Sequence, residues 1–523
     1  MTLPVRTSSN TRLGSLLALV VALGIVAITP LLSNDRVHYD FPNDDTVVYG
    51  IVARLWSEGL LPYRDVYDFK PPLIYAFFRG CFALWGTYPQ AVWEGFMWLT
   101  GIASIAILLA AQRMRLTAFG VGASLAFALI YWTNPIGLSR EQIFNTEGLA
   151  SAMIACAWAC IMLFHSSARK LWAFTSGIFL GLAFLSKQPA LAFAVPLFGH
   201  IIIAHRSEGR AGGKASILAT TVVFFSGALL PAVGFIGYYA SHGALTDLFF
   251  WTWQANILYT GGRNYELIWR LSTFLENITI FAKNLLSPRA LPYLAALLLI
   301  PVCTIRSRNW LTTSISLWLL GAFLTLAPCT QSGVRHYLAF FQFPLALAVG
   351  HLALTVWSAL TSRKNNGAIT AITALCIPLA ICGFELFKLQ QSISIAPPKL
   401  DRSKLAALSD ASKELQALAG PSRKILFEGS NLLPLFQSGL IPATKYIYAI
   451  PMSIIPPQQY SEEFLAQVQA SHPLVALLTH YSPDAYSPTQ NTPRGKLGEY
   501  LLQNFEPPRS FPVGTLFVRK AAQ

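Results

Sequence analysis

Charge is what this chain has least of. Of its 523 residues only 12% are Asp, Glu, Lys or Arg, against 54% hydrophobic, whereas a soluble domain carries about 25% charged residues. That shortage excludes an ordinary water-soluble protein. Cysteine is scarce as well. The seven residues Cys81, Cys156, Cys160, Cys303, Cys329, Cys376 and Cys382 lie in or beside apolar runs, with none further on. A disulfide framework and the usual zinc spacings are therefore excluded, and Cys156 and Cys160, one helical turn apart, read as small buried residues. There is no Gly-rich phosphate loop of Walker or dinucleotide type, no G-x-S-x-G and no H-E-x-x-H, so ATP, NAD and the common hydrolase chemistries have no support. The 38 Lys and Arg outnumber 24 Asp and Glu, but they are spread over loops between apolar runs. Nucleic acid is not a partner on this pattern, which lacks a basic face.

What the chain does have is a succession of apolar runs near the ~20 residues that cross a bilayer. Sorting the loops by their Lys and Arg predicts eleven spans, at 13–32, 92–111, 116–132, 148–164, 171–185, 189–204, 217–239, 289–304, 311–327, 338–360 and 368–387. Loops holding Arg113 and Arg115, Arg169 and Lys170, Arg206 to Lys214, Arg306 and Arg308, and Arg363 and Lys364 then share the cytoplasmic side. The acidic loops share the other. The stretch 72–85 is apolar but short and broken by Arg79, so it reads as a re-entrant or interfacial helix rather than a span. The Trp- and Tyr-rich segment 240–288 reads as interfacial helices.

From about residue 392 the composition changes. An amphipathic helix, a strand at 424–427, a Gly/Ser/Asn turn and a further helix are followed by LVALLTH and GTLFVRK, which look like strands. The expected organisation is a transmembrane catalytic domain over 1–391, with an outer loop at 33–91, and a small extracytoplasmic α/β domain over 392–523. The fold class is a polytopic α-helical membrane protein.

Acids are rare before residue 390 except in one stretch, HYDFPNDDTVVYGIVARLWSEGLLPYRDVYDFKPPLIY, which starts at His38. It carries Asp40, Asp44, Asp45, Arg54, Asp65, Asp68 and Lys70. Ionisable groups beside a bilayer are costly and usually functional. Asp44 or Asp45 can cap the helix that follows, or act as general base on an acceptor hydroxyl. Lys70 stands before Pro71 and Pro72, which start a helix. A cation at a helix entrance suits an anion, though a lysine there can equally snorkel from an interfacial helix. Glu147, preceded by Arg140 and Glu141, begins a span on the same side, where the helix dipole alone favours it. Lys187, Arg335 and His336 stand at other outer edges. With Lys70 they would line one phosphate pocket, or each would anchor a helix end. Catalysis would use carboxylates and cations, with a divalent metal at Asp44, Asp45 or Glu147 left open.

These residues resemble the GT-C membrane glycosyltransferases, in particular the protein O-mannosyltransferase and lipid A aminoarabinose transferase group. The resemblance is carried by Asp44-Asp45-Thr46, Gly59-Leu60-Leu61-Pro62-Tyr63-Arg64-Asp65 and Asp68-Phe69-Lys70-Pro71-Pro72-Leu73. Weaker matches are Asn145-Thr146-Glu147, Lys187-Gln188, Gly243-Ala244-Leu245, His336-Tyr337 and the C-terminal FEGSNLLPLFQSGLIPATKYIY. It implies a GT-C fold and inverting transfer of a sugar from a polyprenyl-phosphate carrier to a lipid, glycan or protein acceptor outside the cytoplasm. The membrane implied is the inner membrane of a bacterium. By position, Asp44 would be the catalytic carboxylate with Asp45 beside it, Glu147 the second-loop acid and Lys70 a contact to the carrier phosphate. Tyr63, Asp65, Asp68 and Tyr337 would line the substrate pocket. Some relatives carry an acid where Phe69 stands, so a role assigned to that acid does not transfer here. A lipid-linked saccharide flippase, or an inactive accessory subunit, is the competing reading. No repeated halves support a transporter.

Overall fold

The computed structural model describes residues 19–27, 44–133, 145–207, 213–261, 267–286, 293–294, 296–298, 310–326, 335–361, 402–429, 431–448, 455–479, 482–484, 486–488 and 492–521. The chain forms two compact units, each assembled from three stretches. The first comprises Met1–Val37, Trp93–Gly237 and Asn264–Ile395; the second comprises His38–Val92, Tyr238–Arg263 and Ala396–Gln523. The expected outer loop and the expected C-terminal domain therefore belong to one unit.

The first unit is helical. Among the described residues, five helices are long and apolar enough to cross a membrane: Pro89–Arg113, Thr146–Ser167, Gln188–Arg206, Ala215–Ser241 and Tyr337–Ser358. Thr117–Ile130, Lys170–Ser186 and Trp310–Leu326 are shorter apolar helices at the sites of expected spans. The expected spans at 13–32, 289–304 and 368–387 fall wholly or mostly outside the described residues. Helices Thr146–Ser167 and Lys170–Ser186 form a hairpin whose turn places Ala168 at φ +59. The Ser176 hydroxyl donates to the Ala157 carbonyl at 2.8 Å across it. On its other side Lys170–Ser186 meets Gly213–Ser241 through Gly177-x-x-x-Gly181. A β-carbon at Gly177 would lie 2.0 Å from the Phe224 carbonyl oxygen, and one at Gly181 2.2 Å from that of Ala228. Small residues allow this backbone approach, which is how helices associate where lipid removes the hydrophobic drive. Leu218, Val222, Leu229, Leu230 and Val233 of Gly213–Ser241 are exposed, an apolar face of the kind lipid covers.

The second unit holds a five-stranded sheet in the order β2-β1-β3-β5-β4. The strands are β1 Lys424–Glu428, β2 Ile441–Pro442, β3 Val475–Leu478, β4 Arg509–Phe511 and β5 Gly514–Val518. β1 lies parallel to β2 and β3, while β5 is antiparallel to both β3 and β4. Ile425, Leu426, Phe427 and all of Val475–Leu478 are buried, as unbroken apolar runs must be in parallel strands covered on both faces. The expected strands at 424–427, in LVALLTH and in GTLFVRK are present; β2 and β4, two and three residues long, carry too little pattern to be seen in sequence.

The acidic stretch packs onto this domain. Its helix Asp44–Ser57 buries Val47 through Leu55 almost completely. Arg54, 5% exposed, donates to Glu58 Oε1 at 2.8 Å and to the Gly439 and Leu440 carbonyls at 3.0 and 2.7 Å. Burial lowers its pKa, and Glu58 opposes that. Arg54 thus ties the helix to the C-terminal domain. The 13-residue helix Leu73–Trp85 buries Ile74, Tyr75, Phe78, Cys81 and Phe82 and is too short to span, as expected. In the segment read as interfacial, Trp253 is 58% exposed but Trp251 only 2%. Trp251 is a core residue of this unit rather than a lipid anchor.

Candidate functional site

The Tyr67–Lys70 segment is where the three stretches of the second unit meet. Tyr67 N–H donates to the Lys445 carbonyl at 2.7 Å, and its ring centroid lies 4.4 Å from that of Trp251 and 5.2 Å from that of Tyr448. Asn256 Nδ2 donates to the Phe69 carbonyl at 2.8 Å. Asp68 is 1% exposed. Its Oδ1 accepts from Tyr448 at 2.6 Å and from its neighbour's N–H at 2.7 Å, while Oδ2 accepts from Tyr75 at 2.6 Å. The Tyr63 hydroxyl donates to the Lys70 carbonyl at 2.7 Å, and Tyr75 reaches the same oxygen at 3.4 Å. Tyr63 makes that contact from φ +72, a region costly for a side chain of its size.

The Lys70 backbone is fixed by these hydrogen bonds. Nζ lies 4.4 Å from the centre of the Phe69 ring, and among the described residues no carboxylate ion-pairs with it. Pro72 precedes Leu73–Trp85, whose first turn has no acid and no side-chain cap. A half-buried cation beside an uncapped helix start is an arrangement that favours an anion.

The other expected residues of this stretch take several places. Asp65 Oδ2 accepts from Leu61 N–H at 2.8 Å and pairs with Arg64 at 2.7 Å, which closes the turn that presents Tyr63. Burial works to raise its pKa, but the Arg64 hydrogen bond, the Leu61 N–H and the Arg64 charge together hold it below the usual value. Asp45 is exposed at the start of Asp44–Ser57. The Asp44 side chain lies outside the described residues.

Asp68 has a consequence for stability. Burial raises its carboxyl above the usual range, while Lys70, Tyr448, Tyr75 and the Phe69 N–H pull it back. The folded protein then keeps a proton that the unfolded chain has released. This group's contribution to stability is complete below about pH 4 and falls as pH rises through the folded value. Thermal unfolding against pH is expected to lose that fall in Asp68→Asn. In Tyr448→Phe the fall extends to higher pH, because the carboxylate loses a donor.

In the first unit, the structure joins three of the expected residues. Glu147 is fully buried in the first turn of Thr146–Ser167, whose cap is Asn145. Its Oε1 lies 2.7 Å from Lys187 Nζ, and its Oε2 accepts from the Thr146 hydroxyl at 2.8 Å. Lys187 follows Lys170–Ser186 as its C-cap, and Nζ stands 5.1 Å from the centre of the Tyr337 ring, within cation–π range. The charge of Lys187, expected on a phosphate, is matched by Glu147. Arg335 and His336 begin the 3-10 turn Arg335–Phe341; their side chains, like Arg140 and Glu141, lie outside the described residues. Among the described residues no group of three His, Cys, Asp or Glu is placed to hold a metal ion.

Sequence reasoning did not single out Tyr75, Tyr448 or Asn256. Tyr448 stood within the C-terminal stretch that resembles bacterial GT-C members, which was the one signal available.

No protein-family profile matches the sequence, and no curated protein matches it. Solved structures do. ArnT from Cupriavidus metallidurans bound to undecaprenyl phosphate superposes with a TM-score of 0.57 at 14% identity, over 96% of this chain and 98% of that one. The apo structure of the same protein gives 0.54 at 14% identity, over 95% and 97%. This chain is thus a polytopic helical membrane protein that shares the fold of these structures, with a small sheet at its C-terminal end.

Proposed function

We propose that the chain is an inverting glycosyltransferase that moves a sugar from a polyprenyl-phosphate carrier to a lipid, glycan or protein acceptor on the outer side of a bacterial inner membrane. The observation that carries this reading is the fold shared, over nearly the whole of both chains, with a protein whose structure holds undecaprenyl phosphate. The held backbone of Lys70, and an ammonium that no carboxylate ion-pairs among the described residues, support it.

The chemistry follows from the charges. Asp44, at the start of the first-loop helix, takes the proton of the acceptor hydroxyl as its oxygen attacks the anomeric carbon from the face opposite the carrier. The bond from that carbon to the phosphate oxygen breaks, and its electron pair leaves with the phosphate. Negative charge grows on the leaving group, where Lys70 and the start of Leu73–Trp85 stabilise it. The products are the glycoside, the polyprenyl phosphate and a protonated Asp44. Glu147 and Lys187 neutralise one another and so hold the ends of two helices in register.

Incubating the purified protein with a panel of polyprenyl-phosphate sugars and assigning the product by NMR tests the proposal. It predicts a product of anomeric configuration opposite to the donor's. Retained configuration contradicts inversion. Carrier binding with no transfer to any acceptor favours a flippase or an accessory subunit.

A further inference from the structure

Beside the Tyr67–Lys70 segment, within the second unit, lies a cavity of about 250 Å³ that the proposed mechanism does not use. Its polar side chains are Asp247, Lys445, Gln459 and Glu463; Phe250, Trp251 and Tyr446 supply aromatic walls, and Leu258, Ile455 and Pro456 the remaining apolar surface. Lys445 and Glu463 are held in place. Lys445 Nζ pairs with Glu463 Oε1 at 2.5 Å, and Glu463 Oε2 accepts from the Tyr446 hydroxyl at 2.6 Å. Gln467 bridges the Lys445 N–H and Glu463 at 2.9 and 3.0 Å. Phe250 and Trp251 sit in a π-helical turn, Phe250–Gln254, a rare geometry that recurs at functional sites. Trp251 is buried as the back wall, whereas Phe250 is half-buried and Gln459 exposed.

The lining selects the ligand. Two carboxylates against one ammonium oppose a phosphate or another anion. Three charged side chains and an amide set among the apolar walls oppose a lipid tail. The volume lies just below the roughly 300–1,000 Å³ of pockets for drug-sized ligands, which suits one ring rather than an extended chain. Carboxylates, an amide and an ammonium can take hydroxyls as donors and acceptors, while an aromatic wall takes the C–H face of the same ring. Burial raises the Asp247 carboxyl, with Lys445 and Arg64 opposing. The wall is also continuous with the candidate site, because Lys445 accepts from Tyr67 N–H and Trp251 packs on the Tyr67 ring.

We infer that this cavity is a saccharide subsite for a single neutral or amine-bearing sugar ring, which it holds as part of the acceptor. The acceptor role rests on the glycosyltransferase reading; the sugar binding does not.

Saturation-transfer NMR on the full-length protein in nanodiscs tests it, with glucose, N-acetylglucosamine, glucosamine and inorganic phosphate as probes. Wild type is compared with Asp247→Asn and with Gln459→Ala, an exposed position where the fold tolerates change. At least one sugar is expected to bind and phosphate is not. Each variant is expected to weaken that sugar by about fivefold, the effect of one hydrogen bond, with binding of undecaprenyl phosphate by native mass spectrometry unchanged. No sugar bound, sugar bound equally by both variants, or phosphate displacing sugar each overturn the subsite. Sugar binding that follows the variants in a protein without transfer activity supports the subsite and removes only its acceptor role. Transfer without sugar binding leaves the glycosyltransferase and removes the subsite.

Discussion

Lys70→Met is expected to lower sugar transfer by roughly 10²–10³-fold, the effect of deleting one charge-stabilising donor from a transition state. The fold is expected to survive, because the backbone of Lys70, not its ammonium, takes the hydrogen bonds from Tyr63 and Tyr75. Native mass spectrometry should show weaker retention of undecaprenyl phosphate as well. Lys70→Arg keeps the charge but replaces a compact ammonium with a planar fork, so partial recovery is expected. Turnover within about twofold of wild type in Lys70→Met, against that expected 10²–10³ loss, would remove the phosphate from this position.

Lys187→Met is expected to cost about 3–5 kcal/mol of stability, because it leaves Glu147 fully buried without its counter-charge. Glu147→Gln alone is expected to cost less, since the Lys187 side chain, unlike that of Glu147, keeps some access to water. The double variant Glu147→Gln/Lys187→Met is expected to regain much of the loss, since replacing a buried pair outright is often near neutral. Unfolding of all four proteins in nanodiscs gives the coupling energy directly. A coupling near zero would mean that the pair does not hold these two helices together, and would return Lys187 to the phosphate.

The sequence showed the membrane class because apolar length and loop charge are local quantities. Each expected span from 92 to 239 meets an apolar helix of the structure. It also showed the first-loop stretch, where charge density stood out against an apolar background. It did not show why Asp68 is there. A carboxylate next to a lysine reads as a partner for it or for substrate, whereas its hydrogen bonds go to Tyr75 and to Tyr448, the latter far along the chain. Likewise, Arg54 looked functional by charge and proves to bind carbonyls of the C-terminal domain. Long-range hydrogen bonds leave no periodicity, so single-sequence reasoning has nothing to read them from. The Glu147–Lys187 pair was half legible. Both were placed on one side of the membrane, but no spacing rule joins residues on neighbouring helices.

The central claim is that a first-loop carboxylate activates an acceptor for attack on a polyprenyl-phosphate sugar. The most direct measurement is transfer from radiolabelled donor by the purified protein, wild type beside Asp44→Asn, with carrier binding followed in the same samples. Transfer by wild type that is lost in the variant, with carrier still bound, is the predicted result. Equal transfer by both proteins would contradict Asp44 as the base, and carrier bound without transfer by either would contradict the enzyme itself.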